Sequence, residues 1–382
     1  MKKFTTFFFL IFPIFCCFKY TAHACTLCSS VKQISTITED LLSLNIKLVI
    51  GGRLGGAKLE ADGTGSTEFE PDHFFKVSGL LHSMRKIRLM KYIPGGEKND
   101  SRTVIFCDYI SGEILPIRAI RLTASSGYSV ITKLLNNKDS DHATRLLASF
   151  DLLDHPEVEI SNDAFMEWAK ASDNAVGTLA SNLDPKIIRK WLDASTTPAN
   201  RLGLYSFMLG ICGSPSIDSQ WFESKLQSKI IRWRNALDGL FVGYCILKPD
   251  CGWPILVNIL GNGQNKLQDR LAALRSIRAL YGLHGLLFKT QLVNTLDAAI
   301  IQGDLADIAV EYLRQWQIPD LELKVLGLFR GNKQSPLLDR VVIHYALSWQ
   351  KRQECILFVA EIRKNHSALL AEMEELIAGN NY

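Results

Sequence analysis

Residues 269–281 read Asp269-Arg270-Leu271-Ala272-Ala273-Leu274-Arg275-Ser276-Ile277-Arg278-Ala279-Leu280-Tyr281. Leu271, Leu274, Ile277 and Tyr281 recur at three- and four-residue spacing, the pattern of a helix face buried against a neighbour. The spacing returns in Leu204, Met208 and Ile211, and in Leu237, Leu240, Tyr244 and Leu247. Leu305, Ala309, Tyr312 and Trp316 repeat it, as do Leu338, Val342, Tyr345 and Trp349. Equivalent points Leu204, Leu237, Leu274, Val310 and Ile343 fall 33, 37, 36 and 33 residues apart. Units of that size hold two helices and bury their apolar faces only by stacking, so residues 129–382 are expected to form an all-α solenoid. All seven Trp lie in this stretch and are expected to fill the layers between helices.

Upstream, the pattern is strand and turn. Ile46–Ile50, Phe74–Leu81, Lys86–Ile93, Thr103–Tyr109 and Ile114–Leu122 are the strand candidates. Gly51-Gly52, Gly55-Gly56, Pro94-Gly95-Gly96 and Ser111-Gly112-Glu113 separate them. Five short strands predict a small OB-like barrel or a sandwich over residues 25–128. Gly51-Gly52-Arg53-Leu54-Gly55-Gly56 lacks the Lys-Ser/Thr ending of a phosphate loop, so its glycines are read as bends and bulges. The predicted fold class is therefore α+β with two domains.

The first residues read as an address. Lys2 and Lys3 precede a nearly wholly apolar run from Phe4 to Phe18, and Ala22-His23-Ala24 supplies a cleavage site before Cys25. These are the three parts of a secretory signal peptide over residues 1–24. The apolar run is shorter than the ~17–25 residues of a membrane-spanning helix, and Pro13 interrupts it. The chain is thus expected to be exported to the periplasm, cell envelope or exterior. No membrane span is expected after cleavage. A lipid on Cys25 is the weaker alternative, because Ala22 stands where a lipobox has a larger aliphatic residue.

Export changes how the cysteines are read. Cys25, Cys28, Cys107, Cys212, Cys245, Cys251 and Cys355 remain after cleavage. In an oxidising compartment neighbours pair, although an odd number leaves one over. Cys25-Thr26-Leu27-Cys28 is read as a local bridge, or as one cysteine tied to Cys107, ahead of a helix from Ser29 to Leu44. The competing reading is a dithiol activated by that helix, or a metal site. Cys245 and Cys251 flank Lys248-Pro249-Asp250 and are candidates for a small disulfide-closed loop. Cys212 and Cys355 read as core packing.

Composition removes other classes. The chain has 382 residues with 43 basic and 39 acidic side chains, and a net +4 that falls to about +1 without Lys2, Lys3 and Lys19. That is no footprint for nucleic acid. The sequence contains no His-Glu-x-x-His, Gly-x-Ser-x-Gly, Walker loop or acidic calcium loop. Asp151 and Asp154 share one helix face at most, and the His residues are scattered. No catalytic residue, metal or cofactor is assigned, and the protein is expected not to be an enzyme.

His155-Pro156-Glu157-Val158-Glu159-Ile160, followed by Asp163-Ala164-Phe165 and Trp168-Ala169, resembles a HEAT-type repeat. Thr197-Pro198-Ala199-Asn200-Arg201, Arg234-Asn235-Ala236-Leu237 and Asp269-Arg270-Leu271-Ala272-Ala273-Leu274 are similar. The N-terminal cysteine before a five-stranded domain resembles the netrin-like OB-fold, but that family begins Cys-x-Cys, so its protease inhibition is not carried over. The order of parts resembles uncharacterised exported bacterial proteins with a signal peptide, Cys-x-x-Cys, a small β domain and a glycine-bearing helical segment, here Gly203 to Gly213. The resemblance implies architecture, with packing motifs in place of a site. The expected function is an exported protein-interaction or scaffold module with a protein or peptide partner. The alternative is a thiol-redox or metal-binding protein acting through Cys25 and Cys28.

Overall fold

A computed structural model of the chain describes residues 26–27, 35–77, 85–94, 102–123, 126–331 and 336–379. The expected leader, Cys25 and Cys28 lie outside the described residues. The architecture is α+β, a closed five-stranded barrel followed by a long helical region.

α1 (Ile37–Leu42) precedes the barrel and is closed by a capping box between Thr36 and Glu39. The strands are β1 (Leu48–Leu59), β2 (Gly65–Lys76), β3 (Ile87–Leu89), β4 (Arg102–Ile110) and β5 (Glu113–Leu122). They run in the order β1-β2-β3-β5-β4 and close on β1. Neighbours are antiparallel except β3 and β5, which pair in parallel at Leu89 and Ile114. Of barrel and sandwich, the chain takes the barrel.

Three expected strands are corrected, and the one expected at Lys86–Ile93 shortens to β3, where only Ile87–Leu89 pair. β1 does not stop at Ile50: it continues through four glycines to Leu59, slipping register between Gly51 and Gly52 and again between Leu54 and Ala57. Gly52 is required there, since a Cβ would lie 2.2 Å from the Glu70 carbonyl oxygen. The second strand starts at Gly65, well before Phe74. Buried Thr67 and Phe69 alternate with exposed Glu68 and Glu70, a two-residue period with a charged outer face.

Side chains fill the barrel. Leu48, Ile50, Phe69, Leu89, Ile105 and Cys107 share its interior, whereas Val49, Val104, Phe106, Ile120 and Leu122 pack outward with α1. β4 is covered on both faces, which explains its unbroken apolar run.

The helical region opens with α2 (Ser126–Asn136), α3 (His142–Phe150), α4 (Val158–Lys170), α5 (Asp173–Ala180) and α6 (Pro185–Asp193). Next come α7 (Leu202–Cys212), α8 (Pro215–Leu226), α9 (Ile231–Arg234), α10 (Leu237–Leu247), α11 (Pro249–Gly261) and α12 (Leu267–His284). The last are α13 (Lys289–Gln302), α14 (Ala306–Gln315), α15 (Glu322–Leu326), α16 (Pro336–Ser348), α17 (Gln353–Asn365) and α18 (Ser367–Gly379). Leu204, Leu237, Leu274, Val310 and Ile343 are all buried, one each on α7, α10, α12, α14 and α16. Trp168, Trp191, Trp233, Trp253 and Trp316 are buried, and Trp221 and Trp349 half-buried.

α7 and α10 meet backbone to backbone. A Cβ on Gly239 would lie 1.9 Å from the Gly203 carbonyl oxygen, and one on Gly210 would lie 2.2 Å from the Gly243 Cα. Ion pairs tie other elements together: Arg189 with Asp218, Arg275 with Asp238, Arg270 with Asp304, and Arg352 with Glu322.

The barrel docks on α4. Arg118 of β5 reaches Asp40 at 2.9 Å and Asp163 at 3.4 Å, and the Ile37 N–H donates to Asp163 Oδ1 at 2.7 Å. The Thr123 N–H and hydroxyl donate to Glu157, and Lys170 pairs with Glu39. Burial raises the Asp163 carboxyl to about 7, against the pull of the Ile37 N–H and Arg118 and with the help of Glu167's charge.

Candidate functional site

Among the openings formed by the described residues of the helical region, two set polar groups against aromatic and apolar walls. The larger, about 730 Å³, lies between α11 and α13. Trp253, Pro254, Val257, Ala298 and Ile301 supply its apolar wall, with Ile301 71% exposed. Pro254 sits inside α11 and has no N–H to give the Asp250 carbonyl one turn back. Asn258 on α11 and Asn294 on α13 add amide side chains that both donate and accept. Asp297 is held by Lys324 at 2.7 Å, whereas exposed Asp250 makes no ion pair among the described residues.

The smaller opening, about 320 Å³, lies between α4, α6 and the start of α7. Trp191 and Tyr205 form one wall, their ring centroids 5.0 Å apart. Arg201 lies at its base, 5% exposed, donating from Nη1 to the Leu153 carbonyl and Ser161 Oγ and from Nη2 to Asn162 Oδ1. Its guanidinium also lies 5.5 Å from the Phe165 ring centroid. Burial raises the Tyr205 hydroxyl, while Arg201's charge pulls it the other way. His155 Nδ1 accepts the Glu157 N–H at 3.1 Å, so the neutral ring carries its proton on Nε2. Lys190 and Asp154 are exposed residues of the same opening.

The cysteine candidates fall elsewhere. Cys107 carries a free thiol inside the barrel, where burial pushes it up to about 12. Thr26, between Cys25 and Cys28 in sequence, is held on the helical region: its N–H and hydroxyl donate to Asp173 of α5 at 3.0 and 2.6 Å. Cys245 and Cys251 are separate free thiols, one near the end of α10 and one in α11. The expected loop between them is a helix-to-helix corner, because Lys248 caps one helix and Pro249 starts the next. Burial also pushes up the thiols of Cys245, of Cys212 to about 11 and of Cys355 to about 12. Asp151 and Asp154 follow the end of α3. Among the described residues, no three His, Cys, Asp or Glu side chains gather where a metal would fit.

Sequence reading passed over Asn258, Asn294 and Arg201 as site residues. A signal existed for the amides, since Asn258 and Asn294 stand 36 residues apart, as Leu274 and Val310 do. For Arg201 there was none: its lack of a carboxylate partner exists only in three dimensions.

A scan against protein-family profiles finds no match, and searches of curated proteins and of solved structures find no significant one.

Proposed function

We propose that this is an exported, non-enzymatic interaction module whose helical region is a HEAT-like solenoid that holds an extended peptide segment of another protein. The groove between α11 and α13 carries the reading. Extended backbone has N–H and C=O groups to satisfy, and Asn258 and Asn294 offer both partners at equivalent points of successive units. The apolar wall around Val257 and Ile301 takes alternate side chains, and exposed Asp250, without an ion pair among the described residues, selects a basic residue. The buried points on α7, α10, α12, α14 and α16 support stacked units. The strand order and the parallel β3–β5 pair support an OB-like reading of the barrel, as a cap at the solenoid's first end.

Panning a displayed random-peptide library against the full chain tests this. Selected peptides are expected to share a basic residue beside apolar ones, and an Asn258→Ala/Asn294→Ala protein is expected to lose them by about tenfold or more. Unchanged selection by that variant, or peptides without a basic residue, would sink the groove reading. Export is tested separately by mapping the N-terminal peptide of the protein from its native cell, which is expected to begin at Cys25.

A further inference from the structure

We propose that the opening between α4, α6 and α7 binds a monoanionic organic carboxylate, with Arg201 as its counter-ion. Among the described residues two arginines are buried to 5% exposure, Arg201 and Arg270. Arg270 has the Asp304 carboxylate on Nη1 and Nη2, each at 2.6 Å. Arg201 has neutral partners: a backbone carbonyl, the hydroxyls of Ser161 and Tyr205, an amide oxygen and an aromatic ring. Both leave Nε without a hydrogen bond, so the orphan nitrogen distinguishes nothing. The missing counter-charge does. A buried cation is costly until an anion joins it, and here the unpaired one lines an opening.

The donor count points to the shape of the anion. A guanidinium has five N–H donors, and three bonds made by Arg201 use both of Nη1 and one of Nη2. The guanidinium also hydrogen-bonds the Tyr205 hydroxyl on the wall of the opening, and the Nε–H has no partner. The Nε side of a guanidinium holds the Asp218 carboxylate in the Arg189 pair, where Nε and Nη2 donate at 2.6 and 2.8 Å. One buried cation balances one negative charge, and exposed Asp154 disfavours a second. Trp191 and Tyr205 offer ring surface to an apolar or aryl body, and 320 Å³ suits a small molecule or one terminal residue of a chain.

Titration calorimetry on the full chain tests the assignment with phenylacetate, neutral phenylacetamide, inorganic phosphate, and a tripeptide ending in Phe with a free or amidated C-terminus. A carboxylate probe is expected to bind one to one, with its amide weaker by tenfold or more. Phenylacetate binding places the source among free small acids, and binding by the free-acid tripeptide alone places it at a chain terminus. Arg201→Met is expected to abolish binding. Because that change also breaks the bonds to Leu153, Ser161 and Asn162, Val158→Trp is the second variant: it fills the opening from an exposed position and is expected to abolish binding with an unchanged melting temperature. The proposal falls if carboxylate and amide bind equally, if phosphate binds as well as the carboxylates, or if Val158→Trp retains affinity. It falls also if no carboxylate binds at about 10 mM, beyond the weak limit for a specific contact. None of these outcomes touches the peptide groove on α11 and α13.

Discussion

The barrel and the α7–α10 crossing are both tightly packed, by opposite means. Inside the barrel, side chains fill the space between strands, with Phe69, Leu48 and Ile105 fully buried there. Between α7 and α10 the side chains are missing where the helices cross, and backbone touches backbone through Gly203, Gly210, Gly239 and Gly243. Interdigitated side chains tolerate small shifts by changing rotamer; two backbones in contact have nothing left to move. The crossing is therefore the stiffer joint, and the two openings lie on either side of it along the chain.

Gly239→Ala should break that contrast most sharply. Its Cβ would lie 1.9 Å from the Gly203 carbonyl oxygen, so the helices must separate. A loss of about 3 kcal/mol or more is expected, at the upper end for overpacking. Urea unfolding measures it, and a loss below about 1 kcal/mol would show that the crossing yields.

The junction between the two regions gives a smaller, pH-dependent effect. Asp163 faces Arg118, Glu167 and the Ile37 N–H, and its carboxyl is raised from 3.8 to about 7 chiefly by burial. The folded protein thus holds a proton there that the unfolded chain releases. The stability this contributes is complete below about pH 4 and is lost as pH rises through 7. Asp163→Asn removes the titration, so it should gain on the parent chain by roughly 1–3 kcal/mol between pH 5 and 8. A constant difference between the two unfolding curves over that range would mean Asp163 is already ionised at pH 5.

The smallest effect belongs to the barrel. A Cβ on Gly56 in β1 meets nothing within 4 Å, unlike one on Gly52. Gly56→Ala should stabilise by about 0.5 kcal/mol, because a strand glycine loses more chain entropy on folding than alanine does. A clear loss would reveal that the slip between Leu54 and Ala57 needs glycine.

Much of this molecule was legible in advance. Apolar periodicity placed α12 and its counterparts, because one-sided burial leaves a 3.6-residue signature whatever the neighbours are. The strands β4 and β5 were legible as short apolar runs bounded by turn residues. β1 and β2 were misplaced at their ends. Glycines that ordinarily stop a strand here let it slip past Glu70 and continue. Charged residues on the outer face of β2 hid its period.

By itself, the sequence determined which part of the chain is helical and which part carries the strands. Those properties follow from local spacing, carried in each segment's own residues. The tertiary structure alone decided that the five strands close, that α7 and α10 touch, and that Arg201 is buried without a carboxylate partner among the described residues. The openings likewise depend on how segments pack: residues 153–162 meet 190–205 in one, and 249–258 meet 291–301 in the other. A charge's partner, or the lack of one, is a matter of distances of a few ångströms between segments, and spacing along the chain does not encode those distances.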